Sequence, residues 1–302
     1  MKKNTCLCDG NAIAYTIAID SCKDEKDFCR MFFYRLREYA KNFSSMPKFI
    51  LFFDDKFGGN WREELYSDYQ KGRKEAALKY TQNQKEEQDK RKKYLAFLKE
   101  KIDKSKYMYL HYPHTETDDL LALYCNNIQQ EDETVTILTT DKDLFQLIRE
   151  TGKKKVQVLF LIKRKLVKDE TLGKEILADK IWLGDNSDSI PGVCRNVGKA
   201  NIEDLKTFLF STEEYKQKTG EFIDIHDIKK VKSICSETLK VKYIPSFSNF
   251  SKEQLDLNTK LIDLSYVVEL DKKQNNVKTK YLQENVEKAK FSPYSIYNIS
   301  LS

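Results

Sequence analysis

Residues 135–145 read V-T-I-L-T-T-D-K-D-L-F. A short β-branched run ends abruptly in Asp141 and Asp143, and the chain turns apolar again over Leu144–Arg149, as a helix would. The same arrangement occurs twice upstream. Thr5–Cys8 predicts a strand running into Asp9, and K-F-I-L-F-F predicts a second running into Asp54 and Asp55. Y-M-Y-L predicts a third strand, and K-V-Q-V-L-F-L-I with K-R-K-L-V predicts a strand pair after the fourth. Helical spacing lies between them, at about Lys26–Phe43 and at Thr117–Ile128. Strands alternating with helices point to an α/β class, a mainly parallel central sheet with helices on both faces.

A chain of 302 residues holds one large domain or two modest ones. The expected division is an acidic α/β core over 1–170, containing a charged helix-prone segment at 61–105, and a helical region over 171–302 ending in a polar tail. The formal net charge is +6, yet residues 71–106 alone carry 13 Lys and Arg against 6 Asp and Glu. A basic segment on a near-neutral body suggests an anionic partner, nucleic acid before a membrane surface, with a solvated helix face as the ordinary alternative. Seven Cys without a CxxC pair, and three His without ligand spacing, argue against a zinc site or a disulfide framework. Reduced thiols in a cytoplasmic compartment are expected. Asp9-Gly10 interrupts the apolar N-terminus, and no run reaches the ~18–20 apolar residues of a membrane span, so no membrane role is expected.

In a parallel sheet all strand C-termini share one edge, where ligands bind. Asp9, Asp54, Asp141 and Asp143 are therefore delivered to one place. Glu116, Asp118 and Asp119 follow the third strand, and Asp185 and Asp188 sit i, i+3 apart in G-D-N-S-D. Each acid alone reads equally as a helix cap, a turn former or a first-turn acid. Together, nine carboxylates on one edge repel unless cations sit among them. Oxygen ligands without His or Cys suit Mg²⁺ or Mn²⁺, and two such ions per active site suit phosphoryl hydrolysis. His111, His114 and His226 need no catalytic role, because metal-bound water replaces a His base.

These motifs, in this order, resemble the 5′-nuclease family of flap endonucleases, 5′-to-3′ exonucleases and bacteriophage ribonuclease H, closest in type to the last. E-T-D-D at 116–119 resembles that family's E-A-D-D, T-D-K-D at 140–143 its S/T-D-x-D, and G-D-N-S-D-S-I-P-G-V at 184–193 its G-D-x-x-D-N-I-P-G-V. The resemblance implies a PIN-like core with a helical arch and a helix–three-turn–helix element. It implies a first metal among Asp9, Asp54, Glu116 and Asp118. A second would lie among Asp141, Asp143 and Asp185, with Asp119 and Asp188 nearby or acting through water. W-R-E-E-L-Y-S-D-Y-Q-K-G-R resembles the lead into the arch, where the family has Y-K-x-x-R. Gln70 stands at the usual Lys position, so Lys71 and Arg73 are the expected phosphate cations. Tyr66 and Tyr69 are expected to stack on bases, and Lys90, Arg91, Lys92 and Lys93 to form a phosphate track. I-P-G-V-C-R-N-V-G-K-A resembles the hairpin that grips duplex DNA, with Gly192, Gly198 and Lys199 at the phosphate and a monovalent cation at 192–198. Asn196 replaces the family's middle Gly there.

The implied function is a structure-selective 5′ nuclease that removes RNA primers or 5′ flaps during DNA replication and leaves a 5′-phosphate. Expected partners are DNA with 5′ flaps or RNA–DNA hybrids, a separate polymerase, and replication proteins such as a single-strand binding protein or sliding clamp. The chain is expected to act as a monomer, in host cytoplasm if phage-encoded. The alternatives are a PIN-type ribonuclease, which lacks the arch and hairpin, and a catalytically silent DNA-binding protein.

Overall fold

A computed structural model describes residues 3–43, 45–55, 60–193, 251–295 and 301. The N-terminal strand β1 (Lys3–Asp9) runs directly into helix α1 (Gly10–Tyr15), then α2 (Glu25–Ala40) and β2 (Lys48–Phe52). Helices α3 (Asn60–Leu65), α4 (Lys71–Leu78) and α5 (Gln82–Asp103) precede β3 (Tyr109–Leu110). Helix α6 (Thr117–Leu123) continues as a π turn over Tyr124–Ile128 and leads to β4 (Glu133–Thr139). Strands β5 (Arg149–Thr151), β6 (Lys154–Phe160) and β7 (Lys165–Val167) follow, then α7 (Glu170–Leu183). The described C-terminal helices are α8 (Lys252–Ile262), α9 (Ser265–Lys273) and α10 (Val277–Ala289).

Strands β3-β2-β1-β4-β6 pair in parallel in that order, and β5 and β7 share the outer edge of β6 antiparallel. The mainly parallel α/β reading therefore holds. Side chains alternate across it as the period of two demands. Cys6, Cys8, Phe49 and Leu51 face a core built with Phe28, Phe32 and Leu36 of α2 and Leu98 and Ile102 of α5. Leu7, Ile50, Val135 and Ile137 face the opposite core, with Leu120 and Leu121 of α6, Val267 of α9 and Leu282 and Val286 of α10. The helices after residue 251 thus return to the sheet. The tail does too. Phe291 exchanges two backbone hydrogen bonds with Phe49, at 2.8 and 3.0 Å, and buries its ring against Phe49 and Tyr107.

Three local expectations need correction. Leu144–Arg149 is not a helix: Asp143–Leu147 forms a 3₁₀ turn, and Arg149 opens the short strand β5. The third strand keeps only Tyr109 and Leu110 of Y-M-Y-L. Helix α1 was hidden in the apolar N-terminus. It starts where Asp9, the last strand residue, accepts a cap hydrogen bond from Ala12 N–H, and Gly10 allows the turn because a Cβ there would lie 2.3 Å from the Phe53 ring.

Candidate active site

Where the strands end, the acids gather. One open cleft of about 330 Å³ is lined by Asp9, Asp54, Asp55, Glu116, Asp118, Asp141, Asp143, Asp185 and Asp188. Eight of the nine acids read from the sequence are there, with Asp55 in place of Asp119. Asp9 Oδ1 accepts from Ala12 N–H and Oδ2 from the Thr139 hydroxyl, each at 2.9 Å, so β1, α1 and β4 fix it jointly. Asp54 accepts from the Thr117 amide at 2.8 Å and from the Asn11 side chain. Asp141 caps the turn that follows it, accepting from Asp143 N–H at 2.8 Å. Gly184, at φ 77°, turns the chain out of α7 into the Asp185 loop.

Crowding sets the electrostatics. Burial, with the neighbouring charges of Asp54 and Asp141, pushes Asp9 up to about 7, against the pull of its hydrogen bonds from Ala12 and Thr139. Burial also pushes Asp118 well above the carboxylate range, with Asp141, Asp9, Asp54 and Glu116 adding to it. Asp143 rises to about 6 through burial and Asp141, restrained by Lys180. Asp188 is raised by burial against the opposing charge of Arg73. Asp185 is also desolvated, but hydrogen bonds from Lys180 and Ser187 outweigh that and hold it below the usual range.

Three cations stand among these acids. The Lys180 ammonium bridges Asp143 and Asp185, the latter at 2.7 Å, and both partners drive its pKa up. Arg73 pairs with Asp188 at 2.9 Å. Asp143 Oδ1 and Asp188 Oδ1 face these cations without hydrogen-bond geometry. Arg62, almost fully buried, reaches Glu116 at 2.6 Å and Asp119 at 2.8 Å, and its Nε–H donates to Leu261 O at 3.1 Å. Glu116 is nonetheless raised to about 7, because burial and the charges of Asp119, Asp54 and Asp188 outweigh Arg62. Among the described residues no three of these acids are already arranged as a metal-holding cluster.

Several expected roles change. Asp119 is fully buried behind the cleft, bound by Arg62 and by Trp61 Nε1–H at 2.8 Å, so it shares Arg62 with Glu116 and does not line the cleft. Lys71 points away from the cleft to Asp68, at 3.1 Å, while Gln70 lines it with Nε2 3.4 Å from Glu116. Of the two neighbours it is thus Gln70, and not the expected Lys71, that lines the cleft. Tyr69 is buried in the cleft wall with its hydroxyl directed at Glu116. Tyr66 donates to Ser189 O at 3.2 Å. Arg91 is buried too, its Nη1 donating to Ala14 O and Ile17 O at 3.2 Å, which removes it from any phosphate track. Lys90 lies over the Tyr94 ring, and Lys92 and Lys93 are exposed beside Asp89 and Glu25. Gly192 lies where a Cβ would meet Leu183 O at 2.9 Å. Gly198, Lys199, Asn196, His226 and the cation site at 192–198 lie outside the described residues.

Arg62 and Lys180 were missed by sequence reading. Arg62 stood inside the quoted arch lead, and Lys180 five residues before Asp185, but a lone cation carries no signal until a partner is known.

The family model for the 5′-3′ exonuclease N-terminal, resolvase-like domain matches residues 5–180, more than half of the chain. The chain belongs to the 5′-3′ exonuclease family. It is a phosphodiester hydrolase. Over 254 residues the chain is 25% identical to a 5′-3′ exonuclease of Buchnera aphidicola subsp. Acyrthosiphon pisum, covering 81% of this chain and 79% of that one. Over 199 residues it is 26% identical to the thermostable DNA polymerase I of Thermus filiformis, covering 63% of this chain and 22% of the polymerase. The fold is similar to that of a bacteriophage T5 flap endonuclease solved as a pseudo-enzyme–product complex with DNA and metal ions. The TM-score is 0.74 at 21% identity, over 95% of this chain and 99% of that one. It is also similar to the T5 5′-exonuclease with divalent zinc ions bound, with a TM-score of 0.72 at 20% identity over 95% and 100% of the two chains. At these identities the structural likeness is one of fold. Among the described residues no helix is long and apolar enough to cross a membrane.

Proposed function

We propose that this 5′-3′ exonuclease family member is a Mg²⁺-dependent, structure-selective 5′ nuclease acting on 5′ flaps or RNA–DNA hybrids in DNA replication. One observation carries the reading: eight acids read from the sequence as ligands line one cleft, without His or Cys, beside the base of a basic helical segment. The donor set fits hard divalent ions. Asp9, Glu116, Asp118 and Asp143 are raised by burial and by neighbouring acids, and Lys180 already stands as a cation between Asp143 and Asp185. Asp9, Asp54, Glu116 and Asp118 would hold one ion, and Asp141, Asp143 and Asp185 the other, with Asp188 beside it. When bound, the ions supply the hydroxide for attack and charge stabilisation for the leaving oxygen, yielding a 5′-phosphate. The chain's own contribution is orientation. Arg62 aims Glu116, Thr139 and Ala12 aim Asp9, and Arg73 is placed to meet a phosphate once Asp188 has another partner.

The deciding experiment measures cleavage of a 5′-flap substrate, with and without Mg²⁺, against the same substrate bearing a bulky adduct on its 5′ or its 3′ end. Cleavage should require the metal and slow sharply only with the 5′ block. Asp141→Asn should abolish turnover and still bind duplex. Equal rates on both blocked substrates, or turnover by Asp141→Asn, would refute the proposal.

A further inference from the structure

The contacts at the base of α4 single out a residue that the carboxylate chemistry leaves unused. Helix α4 buries none of its side chains, so apolar packing does not hold it. Apart from surface pairs of Lys71 with Asp68 and of Lys74 with Glu63, its first turn is tied to the loop that carries Asp185 and Asp188. Gly72 N–H donates to Ser189 Oγ at 2.7 Å, Gln70 N–H to Asp188 O at 2.8 Å, and Arg73 Nε–H to Ser187 O at 2.8 Å. Ser189 meets the backbone of the helix with its side chain, and it does so from an uncommon backbone of its own. Its φ is 61°, a left-handed conformation in which glycine would be at ease. Gly72 faces it closely: a Cβ at 72 would lie 3.1 Å from the Ser189 oxygen. Left-handed strain at a non-glycine residue persists where the side chain has a task, and here the hydroxyl has a definite partner.

We infer that Ser189 is a positioning residue. Its hydroxyl fixes the first turn of α4, and with it Gln70 and Arg73, in register with the acids of its own loop. It does not line the cleft itself and acts through Gly72. The inference rests on the nuclease function proposed above. Any displacement of the Asp185–Ser189 loop is then passed directly to the base of the arch, because the two segments share these hydrogen bonds.

Ser189→Gly tests this, because it removes the hydroxyl while relieving the backbone. The melting temperature should stay the same or rise. In the metal-free, DNA-free protein the Gly72 amide should exchange about tenfold faster, as expected for a lost tether on an otherwise solvent-facing turn. Turnover on a 5′ flap should fall in kcat by about tenfold with KM within about twofold, as for misplaced groups that act on the reacting phosphate. Gly72→Ala should lower kcat in the wild type, where its Cβ presses on the hydroxyl, and cost nothing further in Ser189→Gly, where the space is free. Unchanged exchange at Gly72, or a kcat loss that merely tracks lost stability, would overturn the inference. If exchange rises and the wild-type chain itself cleaves no flap, the tether is upheld and the nuclease function is what falls.

Discussion

Arg62→Met removes the guanidinium that three groups depend on. Arg62 is 4% exposed, Asp119 0%. In the variant Asp119 keeps its hydrogen bond from Trp61 Nε1 at 2.8 Å but loses its counter-charge, and Leu261 O loses a donor. Deleting one partner of a buried ion pair typically costs about 3–5 kcal/mol, because the other charge stays buried and unpaired. Glu116 contributes the smaller part. Already raised to about 7 with Arg62 present, it escapes most of the penalty by taking up a proton. The expected loss is therefore about 3 kcal/mol, on the order of 5–10 °C in melting temperature for a chain of this size. Urea and thermal unfolding of the metal-free protein at pH 7.5 measure it. Asp119→Asn in the Arg62→Met background keeps the Trp61 contact while removing the stranded charge, and should restore about 2 kcal/mol. A loss below about 1 kcal/mol, or strictly additive mutants, would mean that Asp119 does not need Arg62, and the account of how Glu116 is aimed would fail with it.

Protonation should couple stability to metal. Asp9 and Glu116 are raised to about 7 and Asp143 to about 6, so between about pH 4 and 7 the native protein holds protons that the unfolded chain releases. The stability of the metal-free protein should fall as pH rises through that window, by up to roughly 4 kcal/mol for an acid shifted as far as Asp9 taken alone. Asp185, held low, acts in the opposite sense only as pH drops through the acid range. Melting curves at pH 5.5 and 8 should therefore diverge without Mg²⁺ and converge with it, and a metal-free melting temperature that climbs with pH would refute the assignment. At the start of α4, Gln70→Lys should raise kcat by about tenfold by adding a cation beside the cleft, while Arg73→Ala should lower it on the order of 10²-fold. Lys71→Ala should change kcat less than about twofold, and a loss matching that of Arg73→Ala would restore Lys71 to the site.

The sequence by itself determined where the chemistry gathers. Asp9, Asp54 and Asp141 each end a short apolar run, and parallel strands leave their C-termini along one edge, so chain order alone brings those acids together. The α/β class followed from the same alternation. What tertiary structure decided is direction. Asp118 and Asp119 are neighbours in sequence, but one residue turns a helix by about 100°. One of them therefore lines the cleft while the other is buried on Arg62. The same rotation puts Arg91 beneath α5, against Ala14 and Ile17, while Lys92 beside it stays in water. Gln70 takes a left-handed backbone, at φ 57°, just before α4, and that one torsion turns Gln70 into the cleft and Lys71 out of it. Composition and spacing name the charges that a site can use. Which of them face the cleft is set by how each helix seats on its core, and that seating depends on burial of residues far away in the chain.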